Sequence, residues 1–183
     1  MRKYLIYFNI FIFISSNLIS QNLRSMHNKA NNKLKSGALK EAELTLEKIL
    51  EIDPSYAPAR VTFSKLWLQR ADLSKANEYA TLAVRIDEDF RPWWNELNDI
   101  RSKIQLGRQK TQQADYKNAM REYEFIAGKY PYYPEVHYYM GITKFKQNDF
   151  KGAAIYFEQA LKIYPDYQKA QKGLNNVSKR LRK

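Results

Sequence analysis

The chain has 183 residues, 44% apolar and 27% charged, which is enough for one domain with a substantial core and argues against disorder. It contains no cysteine, which excludes disulfides, thiolate metal sites, cysteine nucleophiles and a lipidated N-terminal cysteine. The formal net charge of +12 directs attention to acidic partners, or else to well-solvated basic faces.

The first residues, MRKYLIYFNIFIFISSNLIS, place Arg2 and Lys3 before an apolar run from Tyr4 to Ile14, followed by small and polar residues. This is the order of a secretory signal peptide, with Ser20 as the last residue before cleavage. Asn9, Ser15, Ser16 and Asn17 interrupt the run, whereas a spanning helix needs about 20 mostly apolar residues. The expectation is a cleaved leader over 1–20 and an exported mature chain in the periplasm or cell envelope; an uncleaved anchor is the alternative.

From residue 23 onward the sequence repeats. Ala30, Gly37, Ala42, Leu46 and Ile49 recur 34 residues later as Ser64, Ala71, Ala76, Ala80 and Ala83. Gly107, Ala114, Ala119, Tyr123 and Ile126 follow, then Gly141, Asn148, Ala153, Phe157 and Ala160, with Tyr130-Pro131 returning as Tyr164-Pro165. Each copy reads as two amphipathic helices joined by a short turn. Small residues at Gly107, Gly141, Ala119 and Ala153 let the two helices approach closely, while Tyr123 and Phe157 fill the wedge towards the next hairpin. All six prolines fall between hairpins or at helix starts, where the missing N–H costs nothing.

The third copy is nine residues longer than the others. Trp93, Leu97, Ile100, Ile104, Gly107 and Thr111 follow steps of four and three, which predicts one long helix and not a loop. The tail QKAQKGLNNVSKRLRK carries Leu174, Val177 and Leu181 on one side and six basic residues without an acidic one, so it reads as a basic capping helix over 168–183.

This pattern resembles the tetratricopeptide repeat, with copies over 23–56, 57–90, 91–133 and 134–167. The family's usual tryptophan early in the first helix is replaced by Met26, Arg60 and His137, and its closing proline by Glu88 in the second copy. The resemblance implies an all-α fold, a right-handed α-α superhelix of stacked hairpins whose first helices line a concave groove. Carried over copy by copy, the groove positions include Asn31 and Lys35, then Lys65, Leu68 and Gln69, then Arg101, Arg108 and Gln112, and finally Tyr138, Ile142, Phe145 and Lys146. The groove is then basic with apolar patches, and Tyr138, Ile142 and Phe145 form a stripe expected to be its hot patch, flanked by Lys146 and Arg108. A subset of the family binds C-terminal carboxylates through a lysine-asparagine clamp; His27, Asn31 and Thr62 match it only at Asn31. The turn tyrosines Tyr130, Tyr132 and Tyr133 are expected to plug the hairpin junction.

Catalysis has little support. His27 and His137 are the only histidines, with no nucleophile triad, metal-ligand cluster or glycine-rich phosphate loop around them, so neither a catalytic site, a metal nor a cofactor is expected. The expected function is a non-catalytic adaptor that takes a peptide or protein partner of acidic character in the groove. The alternative is a structural, membrane-associated protein held to anionic lipid or an acidic partner by the basic C-terminal helix. A basic surface with aromatics also fits nucleic acid, but the secretory leader argues against that partner.

Overall fold

The computed structural model describes the backbone of residues 2–182 and the side chains of residues 18–182. The described chain is helical throughout: α1 (Arg2–Lys35), α2 (Leu39–Ile52), α3 (Ala57–Gln69), α4 (Leu73–Ile86), a 3-10 turn (Glu88–Phe90), α5 (Arg91–Gln112), α6 (Tyr116–Lys129), α7 (Pro134–Lys146), α8 (Phe150–Ile163) and α9 (Gln168–Leu181). The expected leader over 1–20 falls on the beginning of α1, and the side chains of 1–17 lie outside the described residues. Among the described residues no helix is long and apolar enough to cross a membrane.

Local chemistry sets where the helices start and stop. Prolines stand in the first turn of α3, α5 and α7, and Asp72 and Asp149 cap α4 and α8 by accepting from the amides of Lys75 and Gly152, each at 2.9 Å. Inside each hairpin the first helix ends at a left-handed residue: Gly37 (φ 79°), Ala71 (φ 60°), Ala114 (φ 60°) and Asn148 (φ 61°). The amide of the following residue then reaches back to a carbonyl of the last turn, as in Asp72 to Trp67 at 2.9 Å and Asp149 to Lys144 at 3.0 Å. Four equivalent sequence positions therefore make the same turn.

The hairpins α1/α2, α3/α4, α5/α6 and α7/α8 stack in order, and α9 closes the last one as a half-hairpin. The repeated small positions Ala30, Ala42, Ala76, Ala119, Ala153 and Ala160 are fully buried at the crossings. In the third hairpin the Tyr123 ring lies in the notch above Gly107, where an added Cβ would come within 2.5 Å of it. The fourth hairpin repeats this with Phe157, whose ring is held between Gly141 of α7 and Gly173 of α9; a Cβ on either glycine would come within 2.7 Å. The second hairpin has no such ring. Its equivalents are Ser64 and Ala80, and Trp93 from the start of α5 instead donates its indole N–H to the Ser64 hydroxyl at 2.8 Å.

Helix α5 runs for 22 residues against 13 in α3 and α7. Leu97, Ile100, Ile104, Gly107 and Thr111 are buried along it as one stripe. The array does not end as an open row of hairpins. Ala71, at the α3–α4 turn, packs against the α8–α9 cluster, and the α8–α9 turn (Tyr164, Pro165) lines a cavity of about 620 Å³ together with Gly37, Trp67 and Arg70 of the first two hairpins.

Candidate functional site

The first helices α1, α3, α5 and α7 form the inner wall, and two cavities lie along it. The larger, about 550 Å³, is lined by Arg101, Ile104, Arg108 and Gln112 of α5 and by Glu135 and Tyr139 of α7. The smaller, about 310 Å³, is lined by Asn31, Leu34 and Lys35 of α1, Lys65 and Gln69 of α3, and Tyr132 from the α6–α7 turn.

Among the described residues eight cations pair with carboxylates. Arg70 holds Glu43 through two bonds of 2.7 and 2.8 Å. Lys110 pairs with Glu122 at 3.2 Å, Lys144 with Asp149 at 3.2 Å, Lys129 with Glu96 at 3.5 Å and Lys33 with Glu41. Among the described residues Lys35, Lys65, Arg101 and Arg108 form no ion pair. Two of them rest on rings instead, Lys65 over Trp93 at 5.3 Å and Arg108 over Tyr139 at 5.4 Å.

The one carboxylate lining the larger cavity is already occupied. Glu135 is only 8% exposed and accepts from the Tyr133 hydroxyl at 2.5 Å, with Tyr139 and Lys169 each at 3.5 Å. Burial, and then the charge of Glu135, pushes the Tyr139 phenol up to about 12 and the Tyr133 phenol well above its ordinary value, so both remain donors to Glu135 at neutral pH. The cavity thus offers two guanidinium groups without a carboxylate partner and the amides of Gln105, Gln109 and Gln112.

At the end of the groove nearest the N-terminus, His27, Asn31 and Thr62 bond to one another, His27 to Thr62 at 2.8 Å, Asn31 to His27 at 3.2 Å and Thr62 to Asn31 at 3.1 Å. Burial holds the His27 imidazole below its ordinary pKa. These polar groups satisfy each other where a lysine-asparagine clamp would need free donors.

The expected groove residues separate into three places. Asn31, Lys35, Lys65 and Gln69 meet at the smaller cavity, and Arg101, Arg108 and Gln112 meet at the larger one. Leu68 is a correction: it is fully buried with Ala76, Ala80 and Leu97, because its side of α3 faces α4 and α5 and not the groove. Tyr138, Ile142 and Phe145 are half-buried against the α8–α9 cluster. Tyr138 lies 5.9 Å from Phe157 and 5.7 Å from Tyr167, and Phe145 lies 5.3 Å from Phe150, ring centre to ring centre. The stripe therefore belongs to the packing of the last hairpin, and Arg108 stacks on Tyr139 instead of flanking it; Lys146 is exposed, with its carbonyl accepting from Tyr116 at 3.3 Å. Of the turn tyrosines, Tyr130 and Tyr133 are core, whereas Tyr132 reaches the inner wall of the first two hairpins. The sequence marked Tyr132 only as a junction plug and not as a groove residue, since its counterpart in the fourth copy is Asp166.

The tetratricopeptide-repeat family model matches residues 23–56 and again residues 134–167, the first and last hairpins. The chain is a tetratricopeptide-repeat protein. The second and third hairpins share the same turn geometry and buried positions although the family model does not reach them. Among solved structures, the TPR domain of P58(IPK) superposes on 87% of this repeat protein with a TM-score of 0.66 at 16% identity, which shows the common fold; the chain spans 46% of that domain. YrrB, described as a TPR protein with an unusual peptide-binding site, is 18% identical over 80% of the chain and 89% of its own, with a TM-score of 0.40. PilF of Pseudomonas aeruginosa is 19% identical over 90% of the chain and 71% of its own, with a TM-score of 0.41. No curated protein matches the sequence.

Proposed function

We propose that this repeat protein is a non-catalytic interaction module that receives an acidic peptide or protein segment on its inner wall. The observation that carries the reading is the gathering of four unpaired cations at the two inner cavities. Lys35 and Lys65 line the smaller inner cavity and Arg101 and Arg108 the larger, and among the described residues none of the four has a carboxylate partner. Unpaired cations on a concave wall raise the local concentration of acidic segments and speed their association, and no existing ion pair has to be broken first. The order of residues 1–20 supports placing this activity outside the cytoplasm, in the periplasm or cell envelope, after cleavage. Intact-mass measurement of the protein from its native source tests that placement; a retained Met1 overturns it.

Fluorescence anisotropy with labelled peptides rich in Asp and Glu, and with Lys-rich peptides of equal length, tests the partner class. Acidic peptides should bind, and salt should weaken them. An Arg101→Ala/Arg108→Ala variant should lose about tenfold in affinity while keeping its melting temperature. Equal binding of both peptide classes defeats the reading.

A second reading rests on α9, where Lys172, Lys179 and Arg180 are exposed on a helix with no acidic residue. It places that face on anionic lipid. Deleting the helix is a poor test, because α9 buries Ala170, Gly173 and Val177. Cosedimentation of a Lys179→Glu/Arg180→Glu variant with anionic vesicles is the better one, and unchanged recovery removes this reading.

A further inference from the structure

The smaller inner cavity differs from an open repeat groove in having a far wall. Asn31, Leu34, Lys35, Lys65 and Gln69 come from the first two hairpins, but Tyr132 comes from the turn before the fourth hairpin, more than sixty residues further along the chain. The α8–α9 turn lies against the same half of the molecule one step further on, at Gly37, Trp67 and Arg70. The second half of the array thus leans across the first. Tyr132 is half-buried, burial raises its phenol pKa, and its ring meets Tyr130 edge-on at 6.4 Å. Among the described residues no side chain hydrogen-bonds its hydroxyl.

We propose that this cavity is a side-chain pocket for an aromatic residue of an acidic partner segment, with Tyr132 as its stacking wall and Lys35 and Lys65 holding the flanking carboxylates. The inference rests on the interaction-module reading and specifies what the partner carries. At about 310 Å³ the space is too small for a helix and large enough for one ring. Leu34 and the Tyr132 ring supply apolar surface on opposite sides, and aromatic groups prefer such an offset or edge partner. The two ammonium groups, unpaired among the described residues, complement carboxylates on the residues beside that ring. Gln69, which also lines the cavity, can donate its amide to a carbonyl of the segment.

The probes are two labelled peptides, Asp-Glu-Phe-Glu-Asp and Asp-Glu-Ala-Glu-Asp, capped at both ends and titrated against the full chain. The wild type should prefer the phenylalanine peptide by about tenfold, the size of a well-placed aromatic contact. Tyr132→Ala should abolish that preference and leave binding of the alanine peptide unchanged, while Tyr132→Phe should retain it. Circular dichroism melts of all three proteins establish that the wall alone has changed. Equal binding of both peptides by the wild type overturns the aromatic pocket while the acidic-partner reading stands. Absence of binding by either peptide defeats both. A gain in affinity on Tyr132→Ala would mean that the tyrosine blocks the pocket, and also overturns the proposal.

Discussion

The second and third hairpins solve the same packing problem with opposite materials. In the third, the first helix gives up its side chain entirely at Gly107 and the second helix fills the notch with Tyr123. In the second, both helices contribute small residues, Ser64 and Ala80, and the aromatic arrives from outside the hairpin as Trp93 on the lengthened start of α5. The lesson is that the repeat specifies a volume at this level of the stack, not a residue, and that the extra length of α5 carries part of the core for its neighbour. Closeness of approach is fixed by the glycine in one case and by a hydrogen-bonded serine in the other.

The comparison can be broken most severely by Tyr123→Ala, which empties the notch over Gly107; a fully buried ring lost without collapse should cost about 3 to 5 kcal/mol in chemical denaturation. The reverse error, Gly107→Val, forces a side chain into a ring already at contact distance and should cost about 1 to 3 kcal/mol. A valine at Ser64 replaces the hydroxyl that the Trp93 indole N–H reaches and should cost about 1 kcal/mol, chiefly that lost bond. Equal losses at Gly107 and Ser64 would show that the two hairpins are packed alike after all. Trp93→Ala should fall between, about 2 kcal/mol, since the indole is only half-buried.

The smallest expected effect is a pH dependence shared by His27 in the first hairpin and His137 in the last, both of whose imidazoles burial holds below their ordinary pKa. Burial lowers the His27 pKa, so the unfolded chain binds the proton more readily than the folded one does, and stability falls as pH drops below the ordinary histidine value of 6.5. Above that pH the imidazole is neutral in both states and the slope vanishes. In a His27→Gln variant the midpoint of thermal unfolding between pH 5 and pH 7 should vary less than in the wild type; identical profiles would remove His27 as the cause.

The register of the repeat was legible in the sequence because each repeated position has one local job. Gly37, Ala71, Ala114 and Asn148 all end a helix in the left-handed region, and a 34-residue step, lengthened by nine residues before the third, locates them even though two are alanines. The long α5 was legible for the same reason, since a stripe at steps of three and four needs only its own helix. The site was legible in part. Lys35, Lys65, Arg101 and Arg108 occupy the inner wall as their positions imply, but Leu68 does not, because a residue at the margin of a helix face is claimed by whichever neighbour packs closer. Tyr138, Ile142 and Phe145 go to the last hairpin because α9 stands beside α7 and takes the apolar stripe as its own contact. Tyr132 was invisible as a groove residue, since its place opposite Lys65 depends on how far the lengthened α5 carries the second half of the array, a long-range quantity that no single repeat encodes.

The contact of Ala71 with the α8–α9 cluster changes how this protein can come apart. An array in which each repeat touches only its neighbours frays from its ends, one unit at a time. Here the last hairpin cannot peel away without uncovering the turn of the second, so partial unzipping from the C-terminal end carries an added penalty. Unfolding in urea should accordingly be a single transition whose denaturant slope matches the surface of the whole repeat region, not that of a terminal hairpin. Native-state hydrogen exchange should show the amides of α4 and α8 opening together, out of sequence order, as members of one cooperative unit.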